Sequence, residues 1–477
     1  MSLPACAPAD LPVSLHPAVR IGASGRLLAG GSPRRLISLT PSGARVVARW
    51  RGRGAPAPVG GRSGERRLAR RLLDAGILTP HPAPVPSTAE LIVIVPVRDR
   101  AAQLDRCLDA VARGCPGSPI AVVDDGSRDP APLQAICAAR GAQLIRHERS
   151  QGPGAARNAA LAVCTTPFVA FVDSDVVLPG DAAHRLLGHL GDPSVGAVAP
   201  RVRGLPPVRG LIGAYEGRHS ALDMGPDGGL VGPGRPVSYV PSAVLFARRG
   251  ALGDGFDAAL RVGEDVDLVW RLCRAGWRVR YAPEVDIWHD HRLRLRDFTA
   301  DRRRYARSLG PLSRRHPGAA PAMRISPGLA LPWALALAGR PRGAAAAVAW
   351  AILRYRARLS QGAGGLVGVG GAASLAGAGV ARGLAATGQG LGYAVRRAWA
   401  PALLAVAWRR PRARAILAAA YAAPVIEDAL ATRDLRALPA DAGLRLLGEL
   451  VALAGTWEGC VRSRTLGPLL PTRGGDR

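Results

Sequence analysis

The sequence is poor in acid, in aromatics and in organised thiols. Of 477 residues, 35 are Asp or Glu against 64 Lys or Arg, a formal charge of +29, and aromatics make up 4%. Seven cysteines (6, 107, 115, 137, 164, 273 and 460) are scattered, odd in number and without a C-x-x-C pair. That excludes a disulfide framework and a structural zinc site, and it points to a reducing compartment. The chain does not open on a basic segment followed by an apolar one, so no signal peptide is expected. The expected location is the cytoplasm, either free or peripheral on the inner face of the cell membrane. No G-x-G-x-x-G follows the first long strand and no G-x-x-x-x-G-K-[ST] occurs, which argues against a dinucleotide site and a P-loop. The positive charge would suit nucleic acid, an anionic membrane surface or an anionic substrate. There is no aromatic-interleaved basic motif, zinc spacing or recognition helix, so nucleic acid is not expected as a partner.

What is present is enough apolar residue for cores, 48%, together with 59 glycines and 41 prolines. The length calls for two or three domains. Residues 1–80 read as a small α+β module. Short strands are expected at Pro12–Leu15, Val19–Ile21, Leu27–Ala29 and Leu36–Leu39. One helix carries Ala44, Val46, Val47 and Trp50; a second carries Leu68, Leu72 and Leu73 and closes at Gly76. A few strands and two helices fit a winged-helix-like module or a packing extension. Pro80–Ser87 is a linker.

From 88 to about 315 strands and helices alternate. Leu91–Val95, Ile120–Val123, Gln143–Ile145 and Phe168–Val172 read as buried strands with helices between them. This succession predicts a mostly parallel sheet covered on both faces. Ligands then sit at the C-terminal strand ends. Residues 195–199 and 237–247 read as further strands, 200–237 as loop, and Trp277–Tyr281 and Ile287–His291 as two short segments around Pro283.

Residues 320–477 read as an Ala/Arg-rich helical region. Gln361–Ala381 is 21 residues without a charge, and a span needs about 20 mainly apolar residues. Gly and Ala contribute little transfer energy, so the favoured reading is helices packed on themselves or lying on an anionic membrane surface.

The chemistry concentrates at strand ends. The run Phe168–Val172 stops at Asp173-Ser174-Asp175, an oxygen-rich pair suited to Mg2+ or Mn2+ beside a diphosphate, or to an ordinary turn. Pro96, Val97 and Arg98 follow the first strand. Asp124 and Asp125 end the second, where a carboxylate can accept from a uracil N3–H. Gly152–Asn158 brings backbone N–H groups and Arg157 to anions. Glu264-Asp265-Val266-Asp267 opens a helix, a position that the helix dipole alone would also favour. The helical period turns residue 267 about 200° from 265, so the two serve different surroundings.

The ordered set Val-Asp-Asp-Gly-Ser, Gly-x-x-x-Ala-Arg-Asn, Asp-x-Asp and Glu-Asp-x-Asp-Leu-x-x-Arg resembles the family-2 glycosyltransferases of the GT-A fold. The resemblance implies a metal-dependent inverting transferase that uses a nucleotide-diphosphate sugar. Asp124 and Asp125 would hold base and ribose, and Asp173 the ribose or the metal. Asp175 and His289 would ligate the metal. Asp265 would be the general base, with Glu264 beside it. Leu27–Leu36, Arg70–Gly76, Tyr215–Gly225 and Ile287–Arg292 narrow the resemblance to the glycosyltransferases of mycofactocin biosynthesis. That implies glucose from UDP-glucose, β-1,4-linked, on a peptide-derived small-molecule acceptor. The alternative is a membrane-associated transferase making a cell-envelope polysaccharide or glycolipid.

Overall fold

The computed structural model describes residues 4–474 except 23, 53, 54, 209, 363–368 and 433–437. It divides into two compact units. The first comprises Met1–Arg20, Ala29–Arg35 and Pro41–Leu293; the second comprises Ile21–Leu28, Leu36–Thr40 and Arg294–Arg477.

The N-terminal elements are β1 (Pro12–Leu15), β2 (Arg20–Ile21), β3 (Leu27–Gly30), β4 (Arg35–Ser38), α1 (Pro41–Trp50), β5 (Ala57–Pro58), α2 (Ser63–Asp74) and β6 (Leu78–Pro80). Strands β1 to β4 and helices α1 and α2 lie where the sequence predicts them, while β5 and β6 are strands that it does not predict. Strand β1 lies between β5 and β6. The amphipathic face of α1 buries Val47 and Trp50, and that of α2 buries Leu72 and Leu73. Within the first unit α2 is tied down by charge: buried Arg70 makes a forked pair with Asp192 at 2.7 and 2.8 Å. Asp74 receives both arms of Arg278 at 2.6 Å.

The main sheet contains β7 (Leu91–Val97), β8 (Ile120–Asp125), β9 (Gln143–His147), β10 (Phe168–Val172), β11 (Val176–Val177), β12 (Val195–Gly204), β13 (Gly229–Leu230), β14 (Val244–Arg248) and β15 (Arg278–His289). Its order is β11-β15-β12-β14-β10-β7-β8-β9, with β13 also on β15. Strands β9, β8, β7 and β10 are parallel neighbours. Strand β14 runs antiparallel to both β10 and β12. Helices α3 (Ala101–Gly114), α4 (Ala131–Ala139), α5 (Pro153–Ala162), α6 (Ala182–Leu190), α7 (Gly210–His219) and α8 (Glu264–Arg274) complete this unit. β7 and β10 are almost continuously apolar, and burial on both faces of the sheet is the reason.

Three expectations change. The strand expected over 237–247 is confined to Val244–Arg248. Residues 200–237 contain the end of β12 and helix α7. The two segments around Pro283 are one strand: pairing with β12 jumps from Pro200↔Ala282 to Arg201↔Asp286. The ring, which has no N–H to give, thus falls in a bulge and the strand resumes beyond it.

The second unit contains α9 (Leu295–Arg307), α10 (Leu309–Arg315), α11 (Pro327–Leu337), α12 (Pro341–Gly362), α13 (Val369–Ala394), α14 (Ala400–Ala407), α15 (Pro411–Thr432) and α16 (Leu438–Arg462). The Ala-rich region is therefore helical, as expected. One of its cores gathers Met323, Ala394, Ala398, Cys460 and Leu469. Among the described residues no helix is long and apolar enough to cross a membrane. Of the uncharged run 361–381, residues 363–368 lie outside the described residues.

Candidate active site

Sheet register assembles the first part of the site. Asp124 and Asp125, the last residues of β8, pair with Arg146 and His147 of β9. Asp124 is fully buried; it accepts from the Ser127 N–H at 2.8 Å and makes an ion pair with Arg146. Asp125 accepts four hydrogen bonds: from His147 Nδ1 at 2.9 Å, Ser150 Oγ at 2.7 Å, and the N–H groups of Gln151 at 2.8 Å and Gly152 at 2.9 Å. Burial alone would raise its pKa, but these donors outweigh it and hold the carboxyl below its ordinary value. In this arrangement the carboxylate orders the 147–152 loop. Gly126 makes the loop's approach possible. It has φ +73°, and a Cβ there would lie 2.6 Å from the Ser150 nitrogen.

At the end of the neighbouring strand Pro96 is half-buried, Val97 is buried and Arg98 points to solvent. Asp99 takes a left-handed φ of 53°. Its N–H donates to Ser127 Oγ at 2.9 Å, and its carboxylate accepts from the Arg128 N–H at 2.8 Å. These bonds join the two strand ends.

The centre is Arg157 of α5, which is 3% exposed. One arm reaches Asp173 Oδ1 at 2.7 Å and the other Glu264 Oε1 at 2.9 Å. The guanidinium also lies over the Phe256 ring, 5.1 Å from its centroid. The next residue, Asn158, grips the Phe256 backbone through both its amide nitrogen, at 2.7 Å, and its oxygen, at 2.8 Å. The Ala-Arg-Asn run therefore joins the Asp173 turn to the start of α8.

Asp175 sits where β11 meets the end of β15. Val176 pairs with His289, and the Asp290 N–H donates to the Asp175 carbonyl at 2.9 Å. The buried Asp175 carboxylate pairs with Arg100, and its Oδ1 lies 3.4 Å from His289 Nε2. Burial opposes ionisation of both groups. His289 and Arg100 nevertheless push the Asp175 pKa down, and Asp175 pushes that of His289 up.

The last part is the start of α8. The Asp173 N–H donates to the Ala243 carbonyl at 2.9 Å. The adjacent Ser242 N–H donates to Asp265 Oδ2 at 3.2 Å, and Val266 N–H to Asp265 Oδ1 at 2.8 Å. Asp265 is only partly buried, and each oxygen keeps a lone pair free. Glu264 is buried and held by Arg157. Asp267 is fully buried and paired with Arg271 at 2.7 Å, whose other arm holds the Gly255 carbonyl at 2.6 Å. Of the three acids, Asp265 alone combines exposure with spare acceptor capacity.

Burial raises the pKa of both Glu264 and Asp265. Glu264 is pushed up to about 7 by burial and then by the Asp265 charge, against the pull of Arg157. A general base works as the carboxylate, so activity is present above the raised pKa and lost as pH falls through it. With Asp265 as the base, the acid limb of kcat/KM should therefore lie above the ordinary carboxylate range. Glu264→Gln removes the adjacent like charge and should move that limb to lower pH; a pH–rate profile of both proteins checks this.

The structure thus brings Asp173, Arg157, Glu264 and Asp265 together and sets Asp175 beside His289. It places Asp124 and Asp125 at the neighbouring strand end and leaves Arg98 exposed. Sequence reasoning missed Arg100, Arg146, His147 and Ser150. The first two are charge partners with no motif. His147 and Ser150 are legible only once the β8–β9 register is known.

Two family models match this arrangement: Glycosyl transferase family 2 over residues 92–222, and Glycosyl transferase family group 2 over residues 168–409. The pre-mycofactocin glycosyltransferase of Mycobacterium tuberculosis (strain H37Rv) is 39% identical over 352 residues, 73% of this chain and 73% of that protein. The chain belongs to the family-2 glycosyltransferases. The succinoglycan biosynthesis protein ExoU of Rhizobium meliloti is 26% identical to this transferase over 212 residues, 40% of this chain and 59% of that protein. Among solved structures, the mannosyltransferase PcManGT of Pyrobaculum calidifontis, in complex with GDP-Man and Mn2+, overlaps 65% of this chain and 90% of its own, at 21% identity and a TM-score of 0.37. The main sheet, mostly parallel with helices on its faces, is the GT-A form of the α/β class.

Proposed function

We propose that this transferase moves a hexose from a nucleotide-diphosphate sugar, UDP-glucose by preference, onto a peptide-derived acceptor of the pre-mycofactocin kind, with inversion. The observation that carries the chemistry is Asp265, a partly exposed carboxylate at a helix start, fixed by two backbone N–H groups. The long match to the pre-mycofactocin enzyme supports the choice of acceptor.

In the proposed step the acceptor hydroxyl oxygen bonds to the anomeric carbon as the bond from that carbon to the diphosphate oxygen breaks. The hydroxyl proton passes to Asp265, and the diphosphate leaves with the bonding electrons. Attack opposite the leaving group inverts the anomeric centre. Arg157 holds Asp173 and Glu264 at fixed separation, so the donor side and the acceptor side of the site move as one body. The Asp125-ordered loop and the exposed Arg98 flank the nucleotide end.

Mg2+ or Mn2+ is the proposed cofactor, with Asp175, Asp173 and His289 as its protein partners. The donor set fits. Asp175 is a buried carboxylate that pairs with Arg100 and lies 3.4 Å from the His289 Nε2 nitrogen, which can ligate an ion as the neutral imidazole, and Asp173 Oδ1 alone is engaged by Arg157. Among the described residues no three His, Cys, Asp or Glu side chains form a ready cage. That agrees with an ion held by one or two carboxylates together with substrate phosphates. Once bound, the ion would neutralise charge on the departing diphosphate. Asp175→Ala should lower metal-dependent UDP affinity by at least tenfold, roughly the loss of 1.4 kcal/mol, while metal-free UDP binding stays near that of the parent. Calorimetric titration with and without Mn2+ checks this, and identical isotherms for both proteins would remove Asp175 as a ligand.

A further inference from the structure

The second unit carries a charge imbalance that transfer chemistry does not use. Between Asp301 and Glu427 there is no acidic residue, and the same stretch holds nineteen arginines. Some of these arginines pair with acids at the edge of the stretch or beyond it: Arg304 with Asp301, Arg303 and Arg307 with Glu458, and Arg396 and Arg397 with Glu449. Where the others crowd at the surface, like charges repel unless an anion covers them.

The imbalance is sharpest at one corner. The turn from α11 to α12 and the turn from α14 to α15 touch: Arg412 Nη1 donates to the Ala338 carbonyl at 3.4 Å. A Cβ on Gly339 would fall 2.3 Å from Arg412 Nη2. Around this contact Arg340, Arg342, Arg409 and Arg410 all face solvent. Apolar surface stands beside them. Trp408 is 68% exposed and Leu404 60% exposed, and the Arg409 guanidinium stacks over the Trp408 ring, 4.0 Å from its centroid. Along α12 the pairing of an exposed Trp with a stacked Arg recurs: Trp350 is 46% exposed, with Arg354 stacked 5.0 Å from its centroid.

We propose that this corner docks on the surface of an anionic lipid bilayer. Tryptophan is most stable at the boundary between headgroup and hydrocarbon, because its ring is apolar and its N–H is polar. Guanidinium groups fork to lipid phosphates, and each basic side chain near an anionic surface strengthens binding about fivefold, the equivalent of about 1 kcal/mol. An exposed Trp and Leu between arginines meet both layers of a bilayer at once. With no spanning helix among the described residues, the attachment is peripheral. Charge alone would also serve single-stranded nucleic acid, but an exposed leucine beside the tryptophan has no partner on a phosphate backbone. The inference does not rest on the transferase reading, because its test reads partitioning.

The test is sedimentation of the full chain with vesicles of phosphatidylcholine alone and of phosphatidylcholine mixed with phosphatidylglycerol. Binding to the mixed vesicles only, reversed by high salt, is expected. The triple variant Arg342→Ser, Arg409→Ser, Arg410→Ser should lose roughly a hundredfold in partition coefficient, and Trp408→Ala several-fold. All four side chains are exposed, so circular dichroism should match the parent. The salt dependence of the unaltered chain provides a readout independent of any variant. Equal partitioning onto both vesicle types, a triple variant that binds like the parent, or retention on polyuridylate without vesicle binding would each overturn the proposal.

Discussion

Asp265→Asn should reduce sugar transfer by roughly 10²–10⁴-fold, the usual worth of a positioned general base, and leave UDP affinity within about twofold of the parent. The reason is local. The side chain is fixed by the N–H groups of Ser242 and Val266, and an amide of the same shape can keep at least one of these bonds. The fold and the nucleotide end should survive, while the proton acceptor is lost. The same substitution at Asp267 should behave differently. That carboxylate is fully buried on Arg271, so Asp267→Asn should cost stability before it costs chemistry. Stopped-time assays of UDP release, with UDP titrations on the same preparations, separate the two. An Asp265→Asn enzyme transferring at the normal rate would show that the base is another group.

Arg157→Met should cost about 3–5 kcal/mol of stability, the penalty for removing one member of a buried ionic cluster. The lower end is expected because Asp173 keeps 31% side-chain exposure and water can partly replace its partner. For a unit of this size that is a fall of roughly 10 °C in the unfolding midpoint. The cause is two carboxylates left facing each other near Asp265, not the lost packing of a side chain of similar length. Adding Glu264→Gln to Arg157→Met should therefore restore part of the loss, since one stranded charge is gone. Thermal unfolding of the two single variants and the double variant reads this directly. Additive losses would mean that Arg157 does not bridge the pair.

How much of this was legible beforehand follows the physics of each element. The strands β7, β8 and β10, and the acids at the ends of β8 and β10, were legible because buried parallel strands are apolar and end abruptly. The start of α8 was legible from its motif, and the helical period separated Asp265 from Asp267, as their surroundings now show. The sequence places Arg157 near the anions of a nucleotide-sugar, yet the anions it meets here are the protein's own Asp173 and Glu264. Side-chain partners across the fold leave no trace in local pattern. His289 came from family resemblance, and only the β11–β15 pairing explains its position beside Asp175. The Pro283 bulge was misread as a strand break because a proline in an otherwise regular strand gives the same local signal. Residues 200–237 hid a helix because Gly, Pro and Arg mask helical periodicity.

The most direct test of the proposed activity is mass spectrometry of a purified peptide-derived acceptor of the pre-mycofactocin kind, incubated with the full chain, Mn2+ and a panel of UDP- and GDP-sugars. The prediction is acceptor carrying added hexose with UDP-glucose, of β configuration, and none with Asp265→Asn. Unmodified acceptor with every donor in the panel, or hexose added equally by Asp265→Asn, would contradict it.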